Sequence, residues 1–358
     1  DGKAVRKETQ VKRPLLFVVA SAFTLAACNT SVSQNAAQQE QKHGTYTCSN
    51  SSWRDKGVVP GDDFFSYADG AWVKNTPIPA DRSRIGGFFI ADQQRERNTR
   101  ELFNQIIGSK PTSGTDALIA TYYNAYFNTD AIDKAGIAPA KADLDAIGRI
   151  ADKHQLSAAI GGNLRSDTDP LNATNFRTDD LFGIFVTQGL ATPGEQLPYI
   201  MQGGIGLPDA QYYLSGDAKM ADTRKKYKAY IQTILQDAGY ADPQGAAGRI
   251  MDLETKMAQA SMSRVAMRDP NATYHKMPLA DMQRLTPHLD LQATMHALGA
   301  PAVSEINVSQ PAFFAVLDTL LSTVPVDTWK AYLRWHLLSN SANALPARFA
   351  DENFKWTQ

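Results

Sequence analysis

The sequence predicts a mainly α protein with a few short strands, and three observations carry that reading. Apolar residues recur three and four apart over long windows, as at Leu118, Ile119, Tyr122, Tyr123, Tyr126 and Phe127 or at Tyr227, Tyr230, Ile231, Ile234 and Leu235, which is the spacing that lines one face of a helix. Only residues 181–186, 198–201 and 305–308 form short apolar or extended runs bounded by turn residues, the pattern of strands. With 43% hydrophobic residues in 358, the chain can bury a large core without disulfides or metal staples.

Residues 1–11 are polar and form an unexplained upstream extension. Lys12 and Arg13 then precede an apolar run over 15–25 that ends Leu25-Ala26-Ala27-Cys28. A basic start, a short apolar run and small residues before a break have the layout of a secretory signal, and the small residues before a cysteine resemble a bacterial lipoprotein cleavage box. Residues 12–28 are therefore expected to be a lipoprotein signal, with Cys28 the lipidated first residue of the mature protein. The alternative, a transmembrane helix, needs roughly 18 to 20 apolar residues, more than this run supplies. The expected location is the cell envelope, facing the periplasm, with the membrane reached only through the lipid anchor. Residues 29–58 open with Ser, Gln, Asn and Ala, which bury too little to offset the entropy of ordering them, so this stretch reads as a flexible tether. Only two cysteines occur, Cys28 and Cys48, too few for a disulfide framework.

The folded region is expected over 59–358. Asp62 and Asp63 stand before Phe64 and Phe65, where a short acid can accept the orphan N–H groups of a first helical turn; Gly70 is placed to end that helix and Trp72 needs a partner surface. Pro77 and Pro79 make an extended elbow, after which a second helix can start at Asp81 or Ser83 and continue through Leu102, Phe103, Ile106 and Ile107 until Pro111 and Gly114 stop it. The aromatic stripe ending at Phe127 reads as core. Leu144, Ile147 and Ile150 mark a helix after Pro139, with Leu156 and Ile160 on the next turn.

The runs at 181–186 and 198–201 predict a small hairpin. Gly204 and Gly206 do not form a dinucleotide loop, because Asp209 stands where the third glycine belongs and Pro208 breaks the helix such a loop requires. Further stripes at Tyr227–Leu235, and at Ile250, Leu253 and Met257, predict two long helices. Glu254 lies inside the second stripe and needs a donor there, for which Arg264 or Arg268 are candidates. A polar helix is expected between Ala280 and Leu298, a helix opening at Pro311, and a last clear helix capped by Asp327 with Trp329, Tyr332, Leu333 and His336 near one face. Nothing after it resembles a terminal cap.

The ordered series over residues 60–89 is more specific than any of its parts: an acid pair, an aromatic pair, Gly70-x-Trp72, Lys74, Asn75-Thr76-Pro77-Ile78-Pro79, then Ser83-Arg84-x-Gly86-x-Phe88. It resembles the opening of the neprilysin and endothelin-converting-enzyme family of zinc metallopeptidases. Gly206-Leu207-Pro208-Asp209 with Tyr212-Tyr213-Leu214, residues 271–274, and the Trp329–His336 helix resemble later signatures of the same family, so the resemblance runs from about Thr45 to Gln358. It implies the multi-helix N-terminal lid region of a neprilysin-like peptidase, which covers a catalytic half and admits peptides. It also implies a primed-side role for Arg84, whose guanidinium suits a peptide's terminal carboxylate; by residue type alone Arg84 would be a surface or helix-cap ion pair. Cys48 stands near a position where family members carry a disulfide cysteine, and Gly61 occupies another such position.

Catalysis in that family needs His-Glu-x-x-His, two imidazoles one helical turn apart on one zinc with a Glu as base. None of the six histidines is followed by Glu, and none has a second histidine four residues on. The family's substrate-aligning Asn-Ala-Tyr-Tyr type segment is absent too. No Gly-x-Ser-x-Gly, Ser-x-x-Lys or Gly-x-x-x-x-Gly-Lys pattern replaces them, and the adjacent pairs Asp62-Asp63 and Asp179-Asp180 read as caps or solvated turns. The chain is thus expected to be a front half: no catalytic residue, no metal site or cofactor of its own, zinc in the full-length relative, and peptides plus a C-terminal catalytic half as partners. A net charge of −1 gives no basic field for nucleic acid. The alternative function is a non-catalytic envelope lipoprotein that binds peptides or a protein partner.

Overall fold

The computed structural model describes residues 51–80, 82–164, 178 and 180–357. Cys28 and Cys48 lie outside the described residues. Fifteen α-helices and four strands are present among those described, the mainly α class with a small sheet. The chain divides into two compact units, 1–102 and 103–358.

In the first unit α1 runs over Phe64–Asn75. Asp63 is its N-cap, accepting the Ser66 N–H at 2.9 Å and the Ser66 hydroxyl at 2.6 Å, and those two bonds hold its carboxyl below the usual range. Gly70 does not end the helix. It is buried in the middle, where a Cβ would meet the Asp55 Cβ at 3.1 Å, so the glycine permits a close crossing instead of a cap. Asp55 in turn donates its N–H to the Tyr67 carbonyl at 2.9 Å and pairs with Lys74 at 2.5 Å. Trp72 finds its partner in Trp53, ring centres 6.0 Å apart.

Helix α2, Gly87–Ser109, starts later than Asp81 or Ser83. The Arg82 N–H closes a turn on the Pro79 carbonyl, and the carbonyl that accepts Ile90 N–H belongs to Gly86, so helical bonding begins beyond Arg84.

In the second unit α3 covers Gly114–Tyr126 and α4 Thr129–Ala135. The α3 stripe departs from expectation: Ala120 is buried and Ile119 and Tyr123 are half-buried, but Leu118 is 73% and Tyr122 77% exposed. Helices α5, Lys141–Gly148, and α6, Lys153–Asn163, follow. Strands β1, Phe182–Gln188, and β2, Gln196–Gln202, make the expected antiparallel hairpin. After a one-turn helix α7, Gln211–Leu214, come α8, Ala218–Asp237, and α9, Pro243–Ala260. A second one-turn helix, α10, Pro270–Thr273, leads to β3, Lys276–Pro278. The polar stretch expected to be one helix is two, α11, Leu279–Leu285, and α12, Leu291–Leu298, because Pro287 interrupts it and Asp290 caps the second by accepting Ala293 N–H at 2.8 Å. Strand β4, Glu305–Val308, completes a sheet of order β1-β2-β4-β3, with β2 and β4 parallel.

Helix α13, Pro311–Thr323, opens at its proline as expected, whereas α14, Val326–Ser341, is entered from Pro325, with Asp327 in the first turn and not at the cap. A further helix, α15, Ala347–Thr357, was not anticipated. It has few apolar residues, but Phe349 is fully buried and Trp356 stacks on Tyr230 of α8 at 5.7 Å. Trp329, Trp335, Tyr227, Tyr332, Phe182, Phe313 and Phe314 are also fully buried in this unit. Each large apolar side chain removed from water contributes about 1.5–3 kcal/mol, and together they join these helices and the sheet in one buried cluster.

Candidate functional site

Two places are candidates for a functional site, one in each unit. In the first unit Arg84 lies between the elbow and α2. Its side chain is exposed and makes no hydrogen bond or ion pair among the described residues. The neighbouring Arg82 instead sits over the Phe89 ring at 5.3 Å, and Phe88 is 98% exposed. An exposed guanidinium such as that of Arg84 has the fork geometry to take a carboxylate.

In the second unit the glycine-bearing loop after β2 forms one wall of a cleft of about 300 Å³, lined in part by Gln202, Ile205, Pro208, Leu214, Met262 and Val265. The opposite wall, after α9, is fixed by one side chain: the Gln202 amide accepts Met262 N–H at 2.7 Å and donates to the Met262 carbonyl at 2.9 Å. The loop wall is held from behind by Glu254. This carboxylate is fully buried, and it does not pair with Arg264 or Arg268, which are both exposed. Tyr213 donates to Oε2 at 2.6 Å, Gly206 N–H donates to Oε2 at 3.3 Å, and Tyr227 donates to Oε1 at 3.2 Å.

Both hydroxyl oxygens already accept a bond from another donor. The Tyr213 oxygen accepts Leu207 N–H at 2.9 Å, and the Tyr227 oxygen accepts Trp335 Nε1–H at 3.2 Å. Each hydroxyl therefore has its single proton left for Glu254. His336 Nε2 lies 3.3 Å from Oε1, within ion-pair distance though not aligned to donate. Burial, and then the Glu254 charge, push both tyrosine hydroxyls well above their ordinary pKa, so they remain donors. The arginines lose the contest because the α9 face that carries Glu254 is closed by α8 and α14.

The glycines serve close approach, not phosphate. A Cβ on Gly206 would lie 1.9 Å from the Tyr227 hydroxyl, and Gly204 has φ +79°. Tyr213, Tyr227 and His336 escape sequence reasoning because they lie on three other helices, Tyr213 41 and Tyr227 27 residues from Glu254. The only local signal is a charged residue inside an apolar seam.

The other histidines among the described residues are scattered. His154 pairs with Asp290 at 2.6 Å, His288 with Asp318 at 2.8 Å, and His275 Nδ1 faces the Val308 carbonyl at 3.1 Å. Among the described residues no three His, Cys, Asp or Glu side chains come together as a possible metal-ligand group.

A family model described as peptidase family M13 matches residues 60–358. Endothelin-converting enzyme 1 of Homo sapiens is 26% identical over 371 residues, 98% of this chain and 46% of the relative. The same enzyme of Cavia porcellus is 24% identical over 309 residues, 84% of this chain and 40% of the relative. Among solved structures, the zinc metalloprotease Zmp1 of Mycobacterium tuberculosis in complex with an inhibitor superposes with a TM-score of 0.71 at 28% identity, over 86% of this chain and 46% of that one. PepO from Lactobacillus rhamnosis shares the fold at a TM-score of 0.59 and 14% identity, over 84% of this chain and 46% of that one. The chain spans less than half the length of these relatives. The zinc named for the mycobacterial enzyme finds no fitting donor set among the described residues, where each histidine that meets a carboxylate meets only one.

Proposed function

Because the chain belongs to peptidase family M13, across residues 60–358, we propose that it is the N-terminal, peptide-admitting region of a neprilysin-like zinc metalloendopeptidase of the cell envelope. In this reading the zinc ligands and the general base lie outside residues 1–358, in a C-terminal catalytic region that this helical body covers. Zinc would there polarise a water for attack on the peptide carbonyl. The part assigned to this chain is to bind and orient the peptide, with Arg84 taking its terminal carboxylate.

The observation that carries the proposal is the position of Arg84. It stands inside the Ser83-Arg84-x-Gly86 segment, and its guanidinium is exposed with no partner among the described residues. The purified chain is expected to hold no stoichiometric zinc by elemental analysis and to cleave no peptide, and one tightly bound zinc per chain overturns this division of labour. For Arg84 itself, a peptide ending in a free carboxylate is expected to bind more tightly than its amide, and Arg84→Ala is expected to erase that difference; an undiminished preference in the variant removes Arg84 from the site.

The envelope location rests on Cys28. Metabolic labelling with a radioactive fatty acid is expected to mark the expressed protein and to fail for Cys28→Ala. Equal labelling of the two removes the anchor.

A further inference from the structure

The four-stranded sheet has two edges, and they are treated differently. The β3 edge is three residues long and closed by Pro278 and by Lys276, which bridges Glu195 at 2.9 Å and Glu305 at 3.0 Å. Such short, charged, proline-bearing edges are how proteins block pairing with another chain. The β1 edge, Phe-Gly-Ile-Phe-Val-Thr-Gln, carries no charge and no proline.

Its main-chain groups can be assigned from the register. Val186 lies opposite Pro198 of β2, and proline has no N–H to give. In an antiparallel pair hydrogen-bonded and non-bonded positions alternate, so Val186 and Pro198 form a non-bonded pair. The same parity is fixed at the hairpin end by Gly189 N–H on the Glu195 carbonyl at 3.0 Å, and on the far side by Ser309 N–H on the Ile200 carbonyl at 2.8 Å. The Val186 N–H and carbonyl therefore point away from β2 at the open edge, where Val186 is 58% exposed.

Beside that edge, on the sheet face shared by Phe185, Thr187, Tyr199 and Met201, lies a cleft of about 290 Å³ closed by Met267 and Arg268. Phe185 and Tyr199 stack at 5.3 Å and give it an aromatic floor. The Arg268 guanidinium is exposed and makes no hydrogen bond or ion pair among the described residues. A strand edge exposed over 186–188 with no partner strand among the described residues, an apolar side-chain cleft on one face and a cation unpaired among the described residues on the same face are the parts of strand-addition recognition.

We propose that β1 is a docking edge for an extended peptide carrying an apolar residue and an acidic residue two positions apart. The residue between them pairs through its backbone with Val186. The two flanking side chains, by the twofold alternation of a strand, then fall on the cleft face, the apolar one on Phe185 and Tyr199 and the carboxylate on Arg268. This goes beyond the role given to Arg84, and its test involves no hydrolysis, so either can fail alone.

The probe is a fluorescein-labelled peptide Thr-Phe-Val-Glu-Thr with blocked ends, titrated with the full chain and followed by polarisation. Val186→Pro is the central variant, because it deletes an N–H that faces the open edge and leaves the ladder to β2 intact. It is expected to keep the far-UV circular dichroism and urea midpoint of the parent while binding at least tenfold more weakly. Arg268→Glu is expected to weaken the Glu peptide at least tenfold and the Gln analogue less than twofold. Should Val186→Pro fail to fold, the same loss is expected when the peptide's central Val is N-methylated and the chain is unchanged. The proposal is overturned by unchanged binding to folded Val186→Pro or of the N-methylated peptide, or by no polarisation change at 1 mM chain. It is equally overturned by a dimer in sedimentation that Val186→Pro dissolves, since the edge would then belong to a second copy.

Discussion

Tyr213 gives its hydroxyl proton to Glu254 across 2.6 Å while the same oxygen takes the Leu207 N–H at 2.9 Å. One hydroxyl thus couples the loop wall of the Gln202–Met262 cleft to the buried carboxylate of α9, and removing either end leaves a polar group stranded in the core. Glu254→Ala deprives two tyrosine hydroxyls of their acceptor, and the expected loss is about 1–3 kcal/mol for each. Tyr213→Phe leaves Leu207 N–H unpaired and Glu254 one donor short, for about 1–3 kcal/mol. Urea unfolding at neutral pH checks both. Near-wild-type midpoints would mean that water replaces the tyrosine and that the loop is not held through it.

The same pair predicts an alkaline limit. Both tyrosines hold their protons in the folded state well above the ordinary tyrosine value, chiefly because burial penalises the phenolate and then because Glu254 repels it. In the unfolded chain they ionise at about pH 10. The unfolded state therefore binds fewer protons from about pH 10 upward, so the stability these groups contribute is fully present below that pH and is lost as pH rises toward their folded values. Urea midpoints are expected to hold from pH 8 to about pH 10 and to fall above it, and Tyr213→Phe is expected to fall less steeply than the parent. Parallel slopes would show that other groups set the limit.

A third prediction concerns α6 and α12, which meet at Gly161. A Cβ there would come within 2.2 Å of the Thr294 carbonyl, a backbone atom that cannot swing aside. Gly161→Ala has to part the two helices and strain the bond from Thr294 Oγ1 to the Ser157 carbonyl, 3.1 Å long. The expected cost is about 1–3 kcal/mol, against a gain of up to about 1 kcal/mol for alanine over glycine in an open helix. Net stabilisation in thermal unfolding would refute the close crossing.

What could be read from the sequence divides along physical lines. Periodicity located the long helices with buried stripes, α8, α9, α13 and α14, because burying one face requires that spacing. It could not find α15, whose hold on the fold rests on Phe349 and on the Trp356–Tyr230 stack, a contact that needs the tertiary structure to exist. Gly70 misled because a glycine for close approach and a glycine for capping look alike in a sequence, and only the Asp55 Cβ beside it distinguishes them. Glu254 was legible as a residue that needs donors; which donors depended on the packing of four elements. The role proposed for Arg84 rests on the motif around it, since exposure without a partner among the described residues has no signature in the chain itself.

The α3 stripe supplies the last prediction, because spacing and burial disagree there. Leu118 and Tyr122 stand four residues apart on one face and are 73% and 77% exposed, with Phe127 beyond them at 59%. Were the stripe core, replacing Leu118 and Tyr122 by charged residues would cost at least about 2 kcal/mol at each position. Exposed, the pair Leu118→Glu with Tyr122→Lys places an acid one turn before a base, which is mildly favourable on a helix, and total stability is expected to stay within about 0.5 kcal/mol of the parent. The gain should appear elsewhere, as weaker binding of the dye ANS and less concentration-dependent self-association, because an apolar helix face left to water is adhesive. A stability loss of several kcal/mol would instead place these side chains in the core of this chain. An unchanged midpoint with reduced stickiness would leave the face free for the catalytic region that the proposed function requires.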